Sequence, residues 1–464
     1  MSAPRRPPSN GRRPDGTGAD VAAAAAAVAL VTVAAVVGGL LVGRGVPVLA
    51  GAAPLFARIE PVLGPGVLLP VAVGALLVVV LPPLAERVVW RAVAPLAFAG
   101  ALAWTVALAL SRGVGGVRDP LTTRHEYLVD VPRIRAGSWH DFLTGFAVSI
   151  PAGAPQPWAT HVSGHPPGMT AIFVALDAAG LTGPWPASLA CLLGWAVAVV
   201  AVTATLRRVV GEALARQALP YLVLSPAVVW AGVSADALLA GFGALGVYLL
   251  ARAATGALAW AVPAGLVLGW CCFLSYGAPL VAVPALAVLV VGARRVGPST
   301  RSSRRVAAAV VLAAGAAVVV VGAFALAGFA WWDGYSAVRG RYLAGFGGLR
   351  PYGYWVWADF GALAVAAGPA VAAGLARAGR LVASRGPGEP GRRALALVAV
   401  AAFGAVLLAA LSGMSKAEVE RIWLPWTVWL TAVGALLPPR RVRWWLLAQW
   451  VLALAVEQLL HTPW

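Results

Sequence analysis

Residues 21–43 read VAAAAAAVALVTVAAVVGGLLVG, a run with no charged side chain from end to end. At about 1.5 Å of rise per helical residue, about 20 such residues cross the roughly 30 Å of a bilayer's hydrocarbon. Comparable apolar runs recur along the chain. Spans are expected near 20–43, 67–85, 89–111, 186–206, 213–231, 236–252, 257–275, 279–294, 306–330, 354–375, 394–412, 423–438 and 444–460, about thirteen helices. The expected fold class is therefore an all-α, polytopic transmembrane helix bundle.

Composition agrees and excludes a soluble enzyme. The 464 residues are 61% hydrophobic and only 11% charged, where a soluble domain carries about a quarter charged residues. Residues 1–18 are rich in Pro, Gly and Arg with nothing apolar to pack, and read as a disordered tail. The apolar run after them is long for a signal-peptide core and ends without a cleavage site, so it is expected to stay as a first helix. Cys191, Cys271 and Cys272 all fall inside apolar runs and behave as small hydrophobes. They form neither a disulfide framework nor a CxxC metal site.

The net charge of +18 fixes an orientation. With the N-terminus in the cytoplasm, Arg87/Arg91, Arg207/Arg208, Arg252, the Arg294 to Arg305 cluster, the Arg377 to Arg393 cluster and Arg440/Arg441/Arg443 all lie inside, as the positive-inside rule requires. A basic inner face is what anionic lipid accounts for, so membrane lipids are expected partners and nucleic acid is not. All five histidines then fall on the outer side. The chain is expected to sit in the cell membrane as a multi-pass protein whose chemistry is extracytoplasmic. The expected divisions are the tail 1–18, N-terminal helices over 19–111, an outer catalytic loop with interfacial helices over 112–185, and a bundle over 186–464 with outer loops at 331–353 and 412–422.

Polar residues concentrate in four outer segments. The first, 111–168, includes RDPLTTRHEYLVDVPRIRAGSWHDF and carries Asp119, His125, Glu126, Asp130, His140 and Asp141. A connection this long is functional or disordered, and its spaced Tyr127, Leu128, Val131, Ile134, Trp139 and Phe142 predict short surface helices. The second, THVSGHPPGMTAIFVALDAAGL, places two prolines where a helix can begin, and its apolar part is too short to span. The third, SPAVVWAGVSADALLAG, sets Asp236 at a helix start, where a carboxylate either caps free N–H groups or serves a site. The fourth is split between residues 331–360 and 412–426. It brings Arg339, Arg341, Arg350, Lys416 and Arg421 near Tyr342, Tyr352, Tyr354 and Trp423, and Lys416 is the only lysine in the chain. Singly these cations read as snorkelling side chains. As a set they suit a shared anionic ligand, because Arg forks and a Lys point charge are the usual donors to phosphate oxygens.

These motifs, in this order over roughly residues 119–430, resemble the polytopic glycosyltransferases of the GT-C type, which include the protein O-mannosyltransferases and the lipid A aminoarabinose transferase. The resemblance is carried by HEYLVDV, GHPPGMTAIFVAL, the LSP and DALL of VLSPAVVWAGVSADALLAGFGALGVYLLARA, and the Gly-rich GLVLGWCCFLSYGAPLVAVPAL. His125 stands where the family has its first acid, Ser275-Tyr276 where it often has Lys or Arg, and three helices precede the acidic loop where better-known relatives have one.

The resemblance implies transfer of a sugar from a polyprenyl-phosphate donor to a hydroxyl of a cell-envelope acceptor, with a loop carboxylate as general base and positive charge stabilising the leaving phosphate. It carries the base role onto Glu126, with Asp130 and Asp119 as the other candidates. Donor phosphate or sugar contacts fall to His165, Arg339, Arg341, Tyr342, Arg350, Lys416, Arg421 and Asp236. Pro166 and Pro167 would start an interfacial helix, with Gly168 removing bulk near the cavity and Ser163 beside His165; the bland alternative is a stiffened loop in which His165 bonds only backbone. No cofactor is expected. His125, Glu126, His161 and His165 are of types that bind divalent metal, but no close ligand spacing indicates one. Two other readings stand beside the enzyme: a transporter or flippase of a lipid-linked or anionic substrate, against which the absence of an internal repeat counts, and a GT-C-like protein without catalysis.

Overall fold

The computed structural model describes residues 16–62, 64–297, 299–384 and 389–462. The expected tail lies outside them as far as residue 15, and from Thr17 onward the chain is helical. The fold is an all-α helix bundle. Its longer helices are α1 (Thr17–Gly43), α2 (Leu68–Arg87), α3 (Trp90–Ala109), α4 (Pro167–Ala178), α5 (Pro184–Val209), α6 (Glu212–Val223), α7 (Ala235–Thr255) and α8 (Ala261–Leu274). They continue as α9 (Ala282–Val296), α10 (Thr300–Leu326), α11 (Trp331–Ala344), α12 (Tyr352–Ala367), α13 (Pro369–Ala383), α14 (Pro390–Ser412), α15 (Leu424–Thr431) and α16 (Val442–Leu459). The only sheet among the described residues is the two-residue pairing of Arg58–Ile59 with Leu460–His461, which ties the segment after α1 to the end of α16.

Among the described residues, eight helices are long and apolar enough to cross a membrane: α1, α2, α3, α5, α7, α9, α10 and α14, some with an added turn. Of the five remaining expected spans, 444–460 is the unbroken helix α16 and four are modified. The run expected over 213–231 breaks after Val223 into α6 and the short helix Val228–Ala231, with Pro220 inside α6 and Pro226 in the gap. Helices α8 and α15 are shorter than a span. The run expected over 354–375 bends by 112° between α12 and α13. Gly368 makes that bend with φ +85, a conformation glycine adopts without steric cost. The backbone groups freed there are met by Gln449 of α16, which donates to Ala367 O at 2.9 Å and accepts from Ala370 N at 3.3 Å.

Helix α7 is the most enclosed span, with 78% of its apolar window buried against 11% for α1. Small residues allow that enclosure: a Cβ at Gly194 of α5 would lie 2.8 Å from Leu238 Cα of α7. Gly265 and Gly269, one helical turn apart on α8, face Ala313 and Ala317 of α10 in the same way. Such contacts bring backbones together where no hydrophobic effect between lipid and helix can drive association.

The expected loop over 112–185 folds into short helices around an apolar cluster that it shares with the ends of the long helices. Tyr127, Phe142, Phe146, Trp158, Phe173, Phe273 and Phe329 are all buried in one cluster. The segment expected as an outer loop over 331–353 is mostly helix, α11 followed by Phe346–Leu349.

Candidate active site

The site starts from a stitch between two parts of the loop. His161 N donates to His125 O at 2.8 Å, and Ala159 N donates to Asp130 Oδ2 at 2.8 Å. These bonds lay the short helix Thr160–Gly164 along the HEYLVD segment. Glu126 stands in extended conformation just before the single turn Tyr127–Val129, so its side chain faces the 160s. Its Oε1 lies 2.6 Å from His161 Nδ1. Tyr127, 1% exposed, packs on Phe173 of α4 and shares a hydrogen bond of 2.9 Å with His165 Nδ1.

Arg421, in the short helix Val419–Ile422, closes the cluster. Its Nε is 3.3 Å from Asp236 Oδ2, and its terminal nitrogens are 4.0 Å from Glu126 Oε1 and 3.8 Å from Glu418 Oε2. The same guanidinium lies 3.2 Å from His161 Nε2. Asp236 sits in the first turn of α7, where Ser234 Oγ accepts from its backbone N–H at 3.1 Å. The N-cap is thus Ser234, which leaves the Asp236 carboxylate for Arg421. Glu126, Asp236 and Arg421 are all buried.

The electrostatics follow from this enclosure. Burial pushes the Glu126 carboxyl up, but His161 and Arg421 outweigh burial and hold it below its ordinary range. Burial lowers the Arg421 guanidinium, and Asp236, Glu126 and Glu418 more than restore it, so it stays charged. Burial pushes the His165 imidazole down, which keeps it neutral at pH 7. Glu126 Oε2 has no hydrogen-bond partner among the described residues.

Glu418 joins this cluster to a second one. Its Oε1 accepts from Arg350 at 3.2 Å. Arg350 also donates to Lys416 O at 2.7 Å, and Lys416 Nζ donates to Arg350 O at 3.1 Å. Tyr342 receives the Lys416 backbone N–H on its hydroxyl at 3.1 Å. Of the sequence-derived candidates, the structure therefore brings together Glu126, His165, Asp236 and Arg421, with Arg350, Lys416 and Tyr342 adjoining through Glu418.

The other candidates stand apart from that cluster. Asp119 is exposed and ion-paired to its neighbour Arg118 at 2.6 Å. Asp130 spends its carboxylate on Ala159 N and, at 3.7 Å, Arg133. Arg341 donates to Ile150 O at 2.7 Å and Trp158 O at 3.1 Å, tying α11 to the loop. Arg339 is exposed on α11. Gly168, expected to spare room near a cavity, instead lets α4 meet α8, since a Cβ there would lie 2.6 Å from Phe273 O. His165 does bond backbone, at 2.9 Å from His161 O, as well as Tyr127. Pro167 opens α4 as the sequence suggested.

Sequence reasoning did not place His161 and Glu418 in the site, nor Asp359 and Glu420 behind it. Asp359 accepts from Ala417 N at 3.1 Å and Glu420 from Phe56 N at 2.9 Å. The signal available for Glu418 and Glu420 was the acid density of KAEVER in a chain with few acids. Among the described residues no group of three His, Cys, Asp or Glu is arranged to hold a metal ion.

No known protein-family profile matches the chain. No curated protein matches it either. Among solved structures the chain is similar to the Archaeoglobus fulgidus oligosaccharyltransferase in complex with zinc and sulfate, at 13% identity and a TM-score of 0.47 over 77% of this chain and 53% of that one. The chain thus spans about half the length of that structure.

Proposed function

We propose that this multi-pass membrane protein is a glycosyltransferase that moves a sugar from a polyprenyl-phosphate donor to an acceptor hydroxyl, at a site on the extracytoplasmic side. The observation that carries the reading is the convergence of Glu126, Asp236 and Arg421, singled out by separate motifs and separated by up to 295 positions, in one buried cluster. In this reading Glu126 Oε2 takes the acceptor's proton as the acceptor oxygen bonds to the anomeric carbon. The bond from that carbon to phosphate oxygen breaks, and polyprenyl phosphate leaves with the electron pair. Arg421, Arg350 and Lys416 supply positive charge for the leaving phosphate. Glu418, which touches both arginines, is the carboxylate that a phosphate would displace.

The burial of Glu126, 2% exposed, favours a second reading, a protein that keeps this arrangement and binds donor without transferring it. Purified protein in lipid nanodiscs, offered a panel of polyprenyl-phosphate sugars and acceptors with donor loss followed by mass spectrometry, separates the two. Donor consumed by wild type and spared by Glu126→Gln supports the proposal. Donor bound by both and consumed by neither supports the second reading, and equal consumption by both sends the base role away from Glu126.

A further inference from the structure

At the far end of α5, α7 and α9 lies a cleft of about 480 Å³ whose lining includes Trp90, Arg207, Arg208, Tyr248, Thr255 and Arg295. We propose that this cleft binds a phosphoryl group, and this inference does not rest on the glycosyl-transfer reading. Helix α7 fixes the cleft's position. Asp236 of the candidate active site is in its first turn and Thr255 is its last residue, so the two sites stand about 28 Å apart along the helix axis. That is close to the roughly 30 Å thickness of bilayer hydrocarbon. The cleft therefore lies at headgroup depth on the opposite face from Glu126.

Its chemistry is cationic with little internal compensation. Glu212 is engaged by Arg207 at 3.1 Å and by Arg216 at 2.7 Å. The Arg207 guanidinium also lies over the Trp90 ring, 4.2 Å from its centroid, a cation–π contact that helps hold it at the cleft. Among the described residues, Arg208 and Arg295 form no ion pair. Arg208 donates to Thr255 Oγ1 at 3.4 Å and Arg295 to Val210 O at 2.8 Å. Each guanidinium has five N–H donors, so both keep most of theirs for a ligand. Three forks converging on one concave space, walled by Trp90 and Tyr248, match the oxygens of a phosphate ester whose apolar remainder lies along the helices.

The same chemistry has two sources, an anionic lipid headgroup or free phosphate, and one experiment distinguishes them. Full-length protein in neutral detergent is titrated with phosphatidylglycerol and, separately, phosphatidylcholine, with binding read by native mass spectrometry. The titration is repeated with inorganic phosphate as competitor, on wild type, R208Q/R295Q and the exposed control pair R440Q/R443Q. Phosphatidylglycerol preferred by wild type, weakened at least about tenfold in R208Q/R295Q and little changed in the control, supports a lipid-headgroup site. Displacement by inorganic phosphate that depends on the same two arginines supports the site with free phosphate as its ligand. Equal weakening in both pairs, or no preference over phosphatidylcholine together with no phosphate competition, overturns the proposal. Should R208Q/R295Q fail to fold, R208Q alone carries the test, since its side chain makes a single long hydrogen bond.

Discussion

Arg421 Nε lies 3.3 Å from Asp236 Oδ2, both side chains are 4% exposed, and the pair joins the start of α7 to the segment that precedes α15. Two charges taken out of water cost several kcal/mol each and recover that cost only through close mutual contact. Arg421 compensates three carboxylates, those of Asp236, Glu126 and Glu418. Removing it leaves buried negative charge behind.

Arg421→Ala is accordingly expected to destabilise the protein by about 3–5 kcal/mol, read as a lower melting temperature in detergent. Arg421→Lys, which keeps charge but loses the fork, is expected to recover only part of that loss. A melting temperature unchanged in Arg421→Ala would mean that the cluster is not held by its charges.

Two glutamates near Arg421 give opposite pH dependences. Burial raises Glu420 to about 7, whereas His161 and Arg421 hold Glu126 below its ordinary value. A raised folded value gives stability that is fully present below the unfolded value of about 4.3 and is lost as pH rises through about 7. A depressed value gives stability that is present above about 4.3 and is lost as pH falls through the folded value. Glu420→Gln is therefore expected to remove a loss of roughly 4 kcal/mol between about pH 4.3 and 7. Glu126→Gln removes a loss on the acid side instead. Melting curves of wild type and both variants from pH 4 to 8 check the signs, and variants that shift alike refute the assignment.

The fold class was legible because hydropathy is a local property: runs such as 21–43 identify a span without reference to the rest of the chain. Where α12 bends at Gly368 and where α6 stops were less legible, because apolarity continues across both breaks and only the packed partner, Gln449 in the first case, makes a break tolerable. In the site, Glu126, Asp236 and Arg421 were each singled out from the sequence, but their contact was not, since no pattern relates positions 126 and 421. Arg341 and Asp130 have the right chemistry for a ligand or a base, yet the fold commits both to backbone groups. One sequence cannot distinguish a donor that waits for substrate from one that closes a loop.

The buried Tyr127 hydroxyl shares a 2.9 Å hydrogen bond with His165 Nδ1, and since His165 also bonds His161 O, truncating His165 strands the hydroxyl whereas truncating Tyr127 leaves the imidazole a partner. His165→Ala is expected to cost about 1–3 kcal/mol, the penalty of an unpaired buried polar group. Tyr127→Phe in the His165→Ala background should then cost less than Tyr127→Phe alone. Additive effects in this double-mutant cycle would show that the two groups do not interact. If the proposed function holds, donor turnover should fall further than stability does, because the same pair sets the start of α4 beside Glu126.

Gln449 carries the last prediction. The break between α12 and α13 leaves the Ala367 carbonyl and the Ala370 N–H without helical partners, and a single amide side chain from α16 satisfies both. Within apolar surroundings no water replaces them, so a non-spanning backbone break survives only where protein covers it. Gln449→Leu keeps nearly the same volume and removes both bonds. The expected cost is about 2 kcal/mol or more, from two unpaired buried backbone groups. Gln449→Glu keeps the acceptor for Ala370 and loses the donor to Ala367, placing a carboxylate against a carbonyl, and is expected to be at least as damaging. Thermal unfolding in one detergent ranks the three proteins. If Gln449→Leu melts with wild type, the bend is held by the left-handed backbone of Gly368 alone, and the amide is incidental to it.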